Sequence, residues 1–317
     1  MINPGAMIQI ARAAAAAVGA RAAPAEVAAP AARAALAVLP AHSMNTEFAV
    51  LGVHVQISTD CAELGHRLQH IKVKADEACP VSATLSIEVP KRDGQYVVLE
   101  RGEAVVSSPD PEWITLYLHE LINFRVAWHL KDFIKIHAAS GSFRDKRFLL
   151  AGDKGAGKTT LITRLLFEGA TVYGDETVLL QEGHVTAFPR KFHLKEGTVP
   201  LVPQLAPIYE NLTSYPAYYG GRFCFFDPTD AGFAWHITKG EVATLFYLEP
   251  RHEERTEIEK CPDWLMVQKL MLQASDFATD PEIQIGQLCR VVGSSDNFII
   301  HLGELDSAVT LIKDVLA

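Results

Sequence analysis

An eight-residue glycine pattern near the middle of the chain places the strongest constraint on its fold. Residues 152–159 read GDKGAGKT, which matches the G-x-x-x-x-G-K-[ST] phosphate-binding loop. The apolar run 148–151 predicts a buried strand before the loop, and residues 160–167 predict a helix after it. Because strand, loop and helix occur in the required order, this context favours a phosphate-binding loop over a glycine-rich turn.

The residue types within the loop explain how it would hold phosphate. Glycines allow a tight turn with positive φ, so that successive N–H groups point at phosphate oxygens near a helix N-terminus. Lys158 can reach the β- and γ-phosphates, and the Thr159 hydroxyl is placed to ligate Mg²⁺. The predicted cofactors are therefore ATP and Mg²⁺, bound by Gly152, Asp153, Lys154, Gly155, Ala156, Gly157, Lys158, Thr159 and Thr160.

A histidine and two carboxylates flank the loop in sequence. His137 lies in a strand-like run, 133–140, and the turn that follows is too short for a crossover helix, so an antiparallel hairpin should lead into the loop. A strand histidine is ordinarily structural, and spacing alone does not make it catalytic. Asp175 and Glu176 follow a short predicted strand, 170–173. Adjacent carboxylates there can hold Mg²⁺ and accept a proton, and an acidic turn is the alternative.

Composition narrows the classes of partner. The 317 residues are 49% hydrophobic and carry a formal net charge of −9, which predicts a globular core and argues against a nucleic-acid-binding surface. The five cysteines are scattered without a C-x-x-C pair, as in a reduced, cytoplasmic chain. The sequence has no run of 18 large apolar residues, so we expect neither a transmembrane helix nor a membrane partner.

The chain divides into three predicted regions. Residues 1–43 are rich in alanine and interrupted by prolines, which predicts a flexible tail with Met44 as an alternative start. A secretory signal is the competing interpretation of this tail, but Arg12 supplies little charge in front of a weak apolar core. Residues 44–132 predict a small α+β region, and residues 133–317 a phosphate-loop domain.

Several individual elements follow from local patterns. Residues 48–57 alternate and predict one half-buried strand, and Asp110 predicts the N-cap of a helix to about residue 132. Asp263 predicts the N-cap of a second helix, 263–275, whereas Val291 and Val292 predict a strand or its vicinity. Prolines and tyrosines after Thr198 predict a long irregular segment. A lid or substrate-facing loop and simple surface packing of the tyrosines are equally open interpretations of it.

The order of His137, the loop at 152–159 and Gly174-Asp175-Glu176 resembles the catalytic core of the HPr serine kinase/phosphorylase family. It is closer still to the shorter HPr-kinase-like proteins that are often encoded near peptide-modification genes. A Phe-Pro-Arg-Lys run at 188–191, followed by Lys195, extends the likeness. The resemblance implies an α/β fold with a P-loop kinase core of the HPr kinase and phosphoenolpyruvate carboxykinase type. It also implies ATP-dependent phosphorylation of a hydroxyl.

Two departures from the family pattern refine this expectation. The family usually has Ser-Asp-Asp where this chain has Gly174-Asp175-Glu176, so the second acid is longer. The Glu-x-Arg-Gly-x-Gly signature of the bifunctional enzyme is absent from residues 181–230. A kinase without phosphorylase activity is therefore favoured, and HPr itself is not the expected acceptor.

The resemblance also implies a role for each site residue. Asp175 would accept the proton of the substrate hydroxyl, and Glu176 and Thr159 would hold Mg²⁺. His137 would orient Asp175 or contact the transferred phosphoryl group, and Lys158 completes the catalytic set. Contacts to phosphate or substrate are expected from Arg190, Lys191 and Lys195, unless this basic run is only a solvated face.

The acceptor stays open between a serine of a protein or peptide and a small alcohol, and homo-oligomerisation is also open. The alternative function is an ATP-binding switch or partner-binding module with slow ATPase activity.

Overall fold

The computed structural model describes residues 43–77, 79–217, 220–251, 254–275 and 280–317. The predicted tail, apart from Ser43, and the tyrosines at 218 and 219 lie outside these ranges. The described residues form a mixed α/β fold. Among the helices that the structure describes, none is long and apolar enough to cross a membrane.

The strands of the described residues are β1 Met44–Val50, β2 Val53–Thr59, β3 Asp76–Glu77, β4 Ala83–Val89, β5 Lys91–Arg92, β6 Gln95–Glu100, β7 Glu103–Ser108, β8 Ile134–Ile136, β9 Ala138–Phe143, β10 Lys146–Gly152, β11 Thr171–Gly174, β12 Val178–Gln181, β13 His184–Ala187, β14 Phe192–Lys195, β15 Ser214–Pro216, β16 Arg222–Phe226, β17 His236–Ile237, β18 Thr244–Pro250, β19 Glu257–Lys260, β20 Ala274–Ser275 and β21 Asp296–Leu302. The α-helices are α1 Ala62–Ile71, α2 Pro111–His129, α3 Lys158–Phe167, α4 Ala206–Tyr209, α5 Asp263–Gln273, α6 Pro281–Gly293 and α7 Leu305–Val315. Short 3-10 turns occupy Glu196–Leu201, Pro203–Leu205 and Pro228–Ala231.

The chain folds into two compact units. Of the described residues, the first unit contains 43–73, 79–127, 213–217 and 220–225. The second contains 74–77, 128–212, 226–251, 254–275 and 280–317. The phosphate-loop pattern and all the predicted site residues belong to the second unit.

The first unit contains a sheet of order β1-β2-β4-β6-β5, with β7 also paired to β6. The single strand predicted at 48–57 is wrong, because the chain reverses there and β1 pairs antiparallel with β2. Leu51 and Gly52 form the reversal with φ of 46° and 80°. The alternating pattern is the same on both arms of such a tight hairpin, so it does not reveal the turn. The predicted N-cap of α2 is confirmed, since the N–H of Glu112 donates to Asp110 Oδ1 at 2.8 Å.

The second unit is built on a six-stranded sheet of order β11-β9-β10-β18-β21-β19. Strands β10, β18 and β21 are parallel, and the predicted antiparallel hairpin is formed by β9 and β10. The predicted strand 133–140 is instead broken at His137. Strand β8 pairs with β12 and β20 in a second, four-stranded sheet, whereas β9 stays in the first.

Helices cover the six-stranded sheet and close its core. Helix α3 packs on β9, β10 and β11, and α5 packs on β10. Val291 and Val292 are buried residues of α6 rather than of a strand, because with Leu288 they form a helical stripe that enters the core. Asp263 is the first residue of α5 and not its N-cap, which is Pro262. Its carboxylate instead accepts a hydrogen bond from Asn297 Nδ2 at 2.9 Å.

Candidate active site

The loop at 152–159 has the backbone geometry that its glycines predict. Strand β10 ends at Gly152 and α3 begins at Lys158. Gly152, Gly155 and Gly157 have φ of 151°, 88° and 92°, values at which a side chain would be strained. A Cβ on Gly152 would also lie 2.8 Å from the Leu248 carbonyl oxygen of the neighbouring strand, so glycine is required there on two counts.

Lys158 lies inside the curve of the loop. Its side chain is buried, and Nζ donates to the carbonyl oxygens of Gly152 at 2.6 Å and Asp153 at 3.0 Å. Burial lowers the pKa of this ammonium, and the charges of Glu176 and Asp175 oppose that shift. The loop therefore already carries a cation at the position where phosphate charge would be neutralised.

Asp175 is a nearly inaccessible carboxylate, with an exposed fraction of 3%. Thr159 Oγ1 donates to its Oδ2 at 2.9 Å. Its Oδ1 is buried and has no hydrogen-bond partner among the described residues. Burial, and secondarily the charge of Glu176, raises the pKa of Asp175 to about 7. An acceptor oxygen without a partner is costly in a folded protein and suits a ligand, an ion or a substrate proton.

Glu176 is half-buried next to Arg190. Arg190 Nη1 lies 3.7 Å from Glu176 Oε1, and Arg190 Nη2 lies 3.3 Å from His193 Nε2. The backbone carbonyl of Glu176 accepts the N–H of Ala138 at 3.1 Å. This main-chain bond brings the acidic pair next to the chain segment that carries His137.

His137 occupies the break between β8 and β9. Burial, and then the charge of Lys158, lowers the pKa of this imidazole below its ordinary 6.5, so it is neutral at pH 7. Glu176 acts on the same pKa in the opposite direction. The charges of Lys158 and Glu176 therefore both affect the protonation of His137, in opposite directions.

Two residues without any sequence motif also belong to this site. Asp153 Oδ1 accepts hydrogen bonds from Gln273 Nε2 at 2.8 Å and from Tyr247 Oη at 3.3 Å. Gln273 is 120 positions away from Asp153 in the chain, and Tyr247 is 94 positions away. Sequence reasoning missed both because each lies within an ordinary apolar element.

The remaining predicted residues are placed as follows. Lys154 is exposed in the loop, Ala156 is buried there, and the Thr160 hydroxyl lies 3.2 Å from that of Thr198. Lys191 is buried in an ion pair with Asp227 and Asp230, whereas Lys195 is exposed at the end of β14. The structure therefore brings together His137, Lys158, Thr159, Asp175, Glu176 and Arg190. The charge of Lys191 is already engaged by two carboxylates.

The donor set at the loop fits a hard divalent cation. One hydroxyl oxygen, of Thr159, lies within hydrogen-bond distance of a carboxylate oxygen of Asp175, and Glu176 is the next residue. Mg²⁺ prefers hydroxyl and carboxylate oxygens of this kind, and the Thr159 hydroxyl and the Glu176 carboxylate would supply them.

No family model and no curated protein sequence matches the chain. Among solved structures, it is similar to the Hpr(Ser) kinase/phosphatase from Coxiella burnetii, at 11% sequence identity and a TM-score of 0.28. The match covers 57% of this chain and 95% of that one. At this TM-score the likeness decides neither fold nor function, and the assignment below depends on the geometry of the site.

Proposed function

We propose that the chain is an ATP-dependent phosphotransferase with a P-loop kinase core, which phosphorylates a hydroxyl group and lacks phosphorylase activity. The acceptor is a serine of a protein or peptide, or a small alcohol. One observation carries the proposal: Asp175 has one oxygen on the Thr159 hydroxyl of the loop and the other buried without a partner. The unpartnered oxygen can accept the proton of an acceptor hydroxyl, which is the group that phosphoryl transfer requires in addition to a phosphate loop.

The residues of the site suit the steps of phosphoryl transfer. The loop N–H groups and Lys158 bind the phosphates, and Thr159 and Glu176 would hold Mg²⁺. Mg²⁺ held there would neutralise the negative charge that develops on the phosphate oxygens during transfer. The hydrogen bond from Thr159 fixes the plane of the Asp175 carboxylate, and Oδ1 accepts the acceptor's hydroxyl proton. The pKa of about 7 suits a group that takes up a proton near neutral pH.

Two further side chains support the transfer. Arg190 lies beside Glu176 and supplies a cation for the charge on the transferred group. His137, neutral at pH 7, donates or accepts a hydrogen bond without adding charge next to Lys158.

The test uses γ-labelled ATP with candidate acceptors, beginning with serine-containing peptides encoded beside the gene. Lys158→Ala should abolish ATP binding, because it removes the point charge that meets the β- and γ-phosphates. Asp175→Asn should bind ATP normally but transfer phosphate roughly 10²–10⁴ times more slowly. Lys131→Ala, which changes an exposed lysine of the same unit, is the matched control. Phosphate transfer by Asp175→Asn at the wild-type rate would show that Asp175 is not the general base. ATP-dependent binding of a partner without any transfer would instead favour a nucleotide switch.

A further inference from the structure

Gln273 stands between the phosphate loop and His137. It is the last residue of α5, with an exposed fraction of 8%. Its side-chain Nε2 donates to Asp153 Oδ1 at 2.8 Å, and its backbone carbonyl accepts the N–H of His137 at 2.8 Å. One buried residue thus contacts both the first turn of the loop and the histidine.

Asp153 links the Gln273 side chain to residues in the centre of the loop. Its backbone carbonyl accepts hydrogen bonds from Lys158 Nζ at 3.0 Å and from the N–H of Ala156 at 3.0 Å. Fixing the Asp153 side chain therefore fixes the carbonyl that receives the lysine. Holding the loop N–H groups in place before the phosphate arrives reduces the ordering cost of binding.

The end of α5 is itself held on both sides. Directly after Gln273, strand β20 pairs with β8, and Ala274 lies opposite Ile136, the residue before His137. Tyr247 is the second donor to Asp153. Lys269 of α5 lies over its ring, with Nζ 4.4 Å from the centroid of the Tyr247 ring. The amide of Gln273 therefore projects from a fixed backbone toward a fixed partner.

We infer that Gln273 is a positioning residue, which sets the nucleotide affinity of the phosphate loop through Asp153 and holds His137 in place beside it. The inference depends on the proposed function, since it assumes that the loop binds nucleotide. A role in general stability does not account for this geometry, because the partner of the Gln273 amide is an exposed carboxylate of the loop rather than a residue of the core.

The test measures ATP and ADP affinity by calorimetric titration for wild type, Gln273→Leu, Asp153→Ala and the double variant. A hydrogen bond to a charged group suggests that each single change raises the Kd about tenfold. If Gln273 acts through Asp153, the double variant should also lose about tenfold, because coupled residues are not additive. Gln273→Glu has the same size, lacks the donor and adds a carboxylate beside Asp153, so it should bind at least as weakly as Gln273→Leu. Gln268→Leu, an exposed position of the same helix, should bind as wild type does.

The outcomes separate this inference from the proposed function. If wild type binds nucleotide and Gln273→Leu matches it, or if the two losses multiply to about a hundredfold, the inference is overturned and the function stands. If wild type binds no nucleotide, the proposed function falls, and the inference falls with it. Asp153→Ala changes an exposed loop residue, so it tests whether the Asp153 side chain sets the affinity even if Gln273→Leu fails to fold. An unchanged Kd in Asp153→Ala would also overturn the inference.

Discussion

Asp175→Asn should stabilise the protein at alkaline pH in the absence of Mg²⁺ and nucleotide. Burial raises the pKa of this carboxyl from an ordinary 3.8 to about 7, so the folded protein binds the proton more tightly than the unfolded chain. The contribution of Asp175 to the free energy of unfolding of wild type then falls as pH rises from 3.8 to about 7, and it is constant above that. At about 1.36 kcal/mol per pH unit, the ionised carboxylate costs the folded state about 4 kcal/mol. The asparagine variant does not ionise and escapes this loss.

The assay is urea unfolding in EDTA, at pH 5 and pH 8, followed by tryptophan fluorescence. Trp235 is a suitable reporter, because it is buried in the same unit and its indole N–H donates to the Tyr173 carbonyl at 2.9 Å. The stability advantage of Asp175→Asn over wild type should grow by about 3 kcal/mol between the two pH values. Asp145→Asn, at an exposed turn between β9 and β10, is the control and should show no such growth. An Asp175→Asn advantage that is the same at both pH values would show that burial does not penalise the charge.

Two further predictions concern the metal and the tail. Glu176→Gln should raise the Mg²⁺ concentration needed for half-maximal transfer while leaving Mg²⁺-free ADP binding near normal, because the amide is a weaker ligand than the carboxylate; an unchanged Mg²⁺ titration would contradict its role. A protein that starts at Met44 should keep the melting temperature and nucleotide affinity of the full chain, because β1 begins at that residue. A clear drop in either quantity would show that residues 1–43 contribute to the fold.

Local sequence signals were sufficient for the loop and its neighbours. The glycines, the apolar run before them and the helix after them each satisfy a short-range rule, and the positive φ values follow from those residue types. The same is true of the β9–β10 hairpin, since the intervening turn is too short for any other connection. These features depend on neighbours in sequence and need no tertiary information.

Features that depend on distant pairing were not predictable in the same way. Alternation in residues 44–59 fits one strand or a hairpin equally well, and only the partner strands decide. Val291 and Val292 have a strong β propensity, but burial against the core favours the helix in which they lie. Gln273 is the clearest example, because no local sequence pattern marks it. Its place in the site depends on a hydrogen bond to Asp153, which lies 120 positions earlier in the chain.

The position of the site follows from how the chain passes between the six-stranded and the four-stranded sheet of the second unit. The chain leaves the four-stranded sheet for the six-stranded one at His137, between β8 and β9, and returns at Asp175–Thr177, between β11 and β12. Regular strand pairing is interrupted at both crossings, and the His137 N–H there donates to the Gln273 carbonyl instead. Val178 lies opposite Ile136 across the second sheet, which holds the two crossings side by side. The loop after β10 opens at the carboxyl end of a parallel strand, the edge where ligands bind in α/β sheets. The sheet topology therefore brings His137, the acidic pair at 175–176 and the glycine-rich loop at 152–159 together. Their spacing in sequence alone does not require them to be close in space.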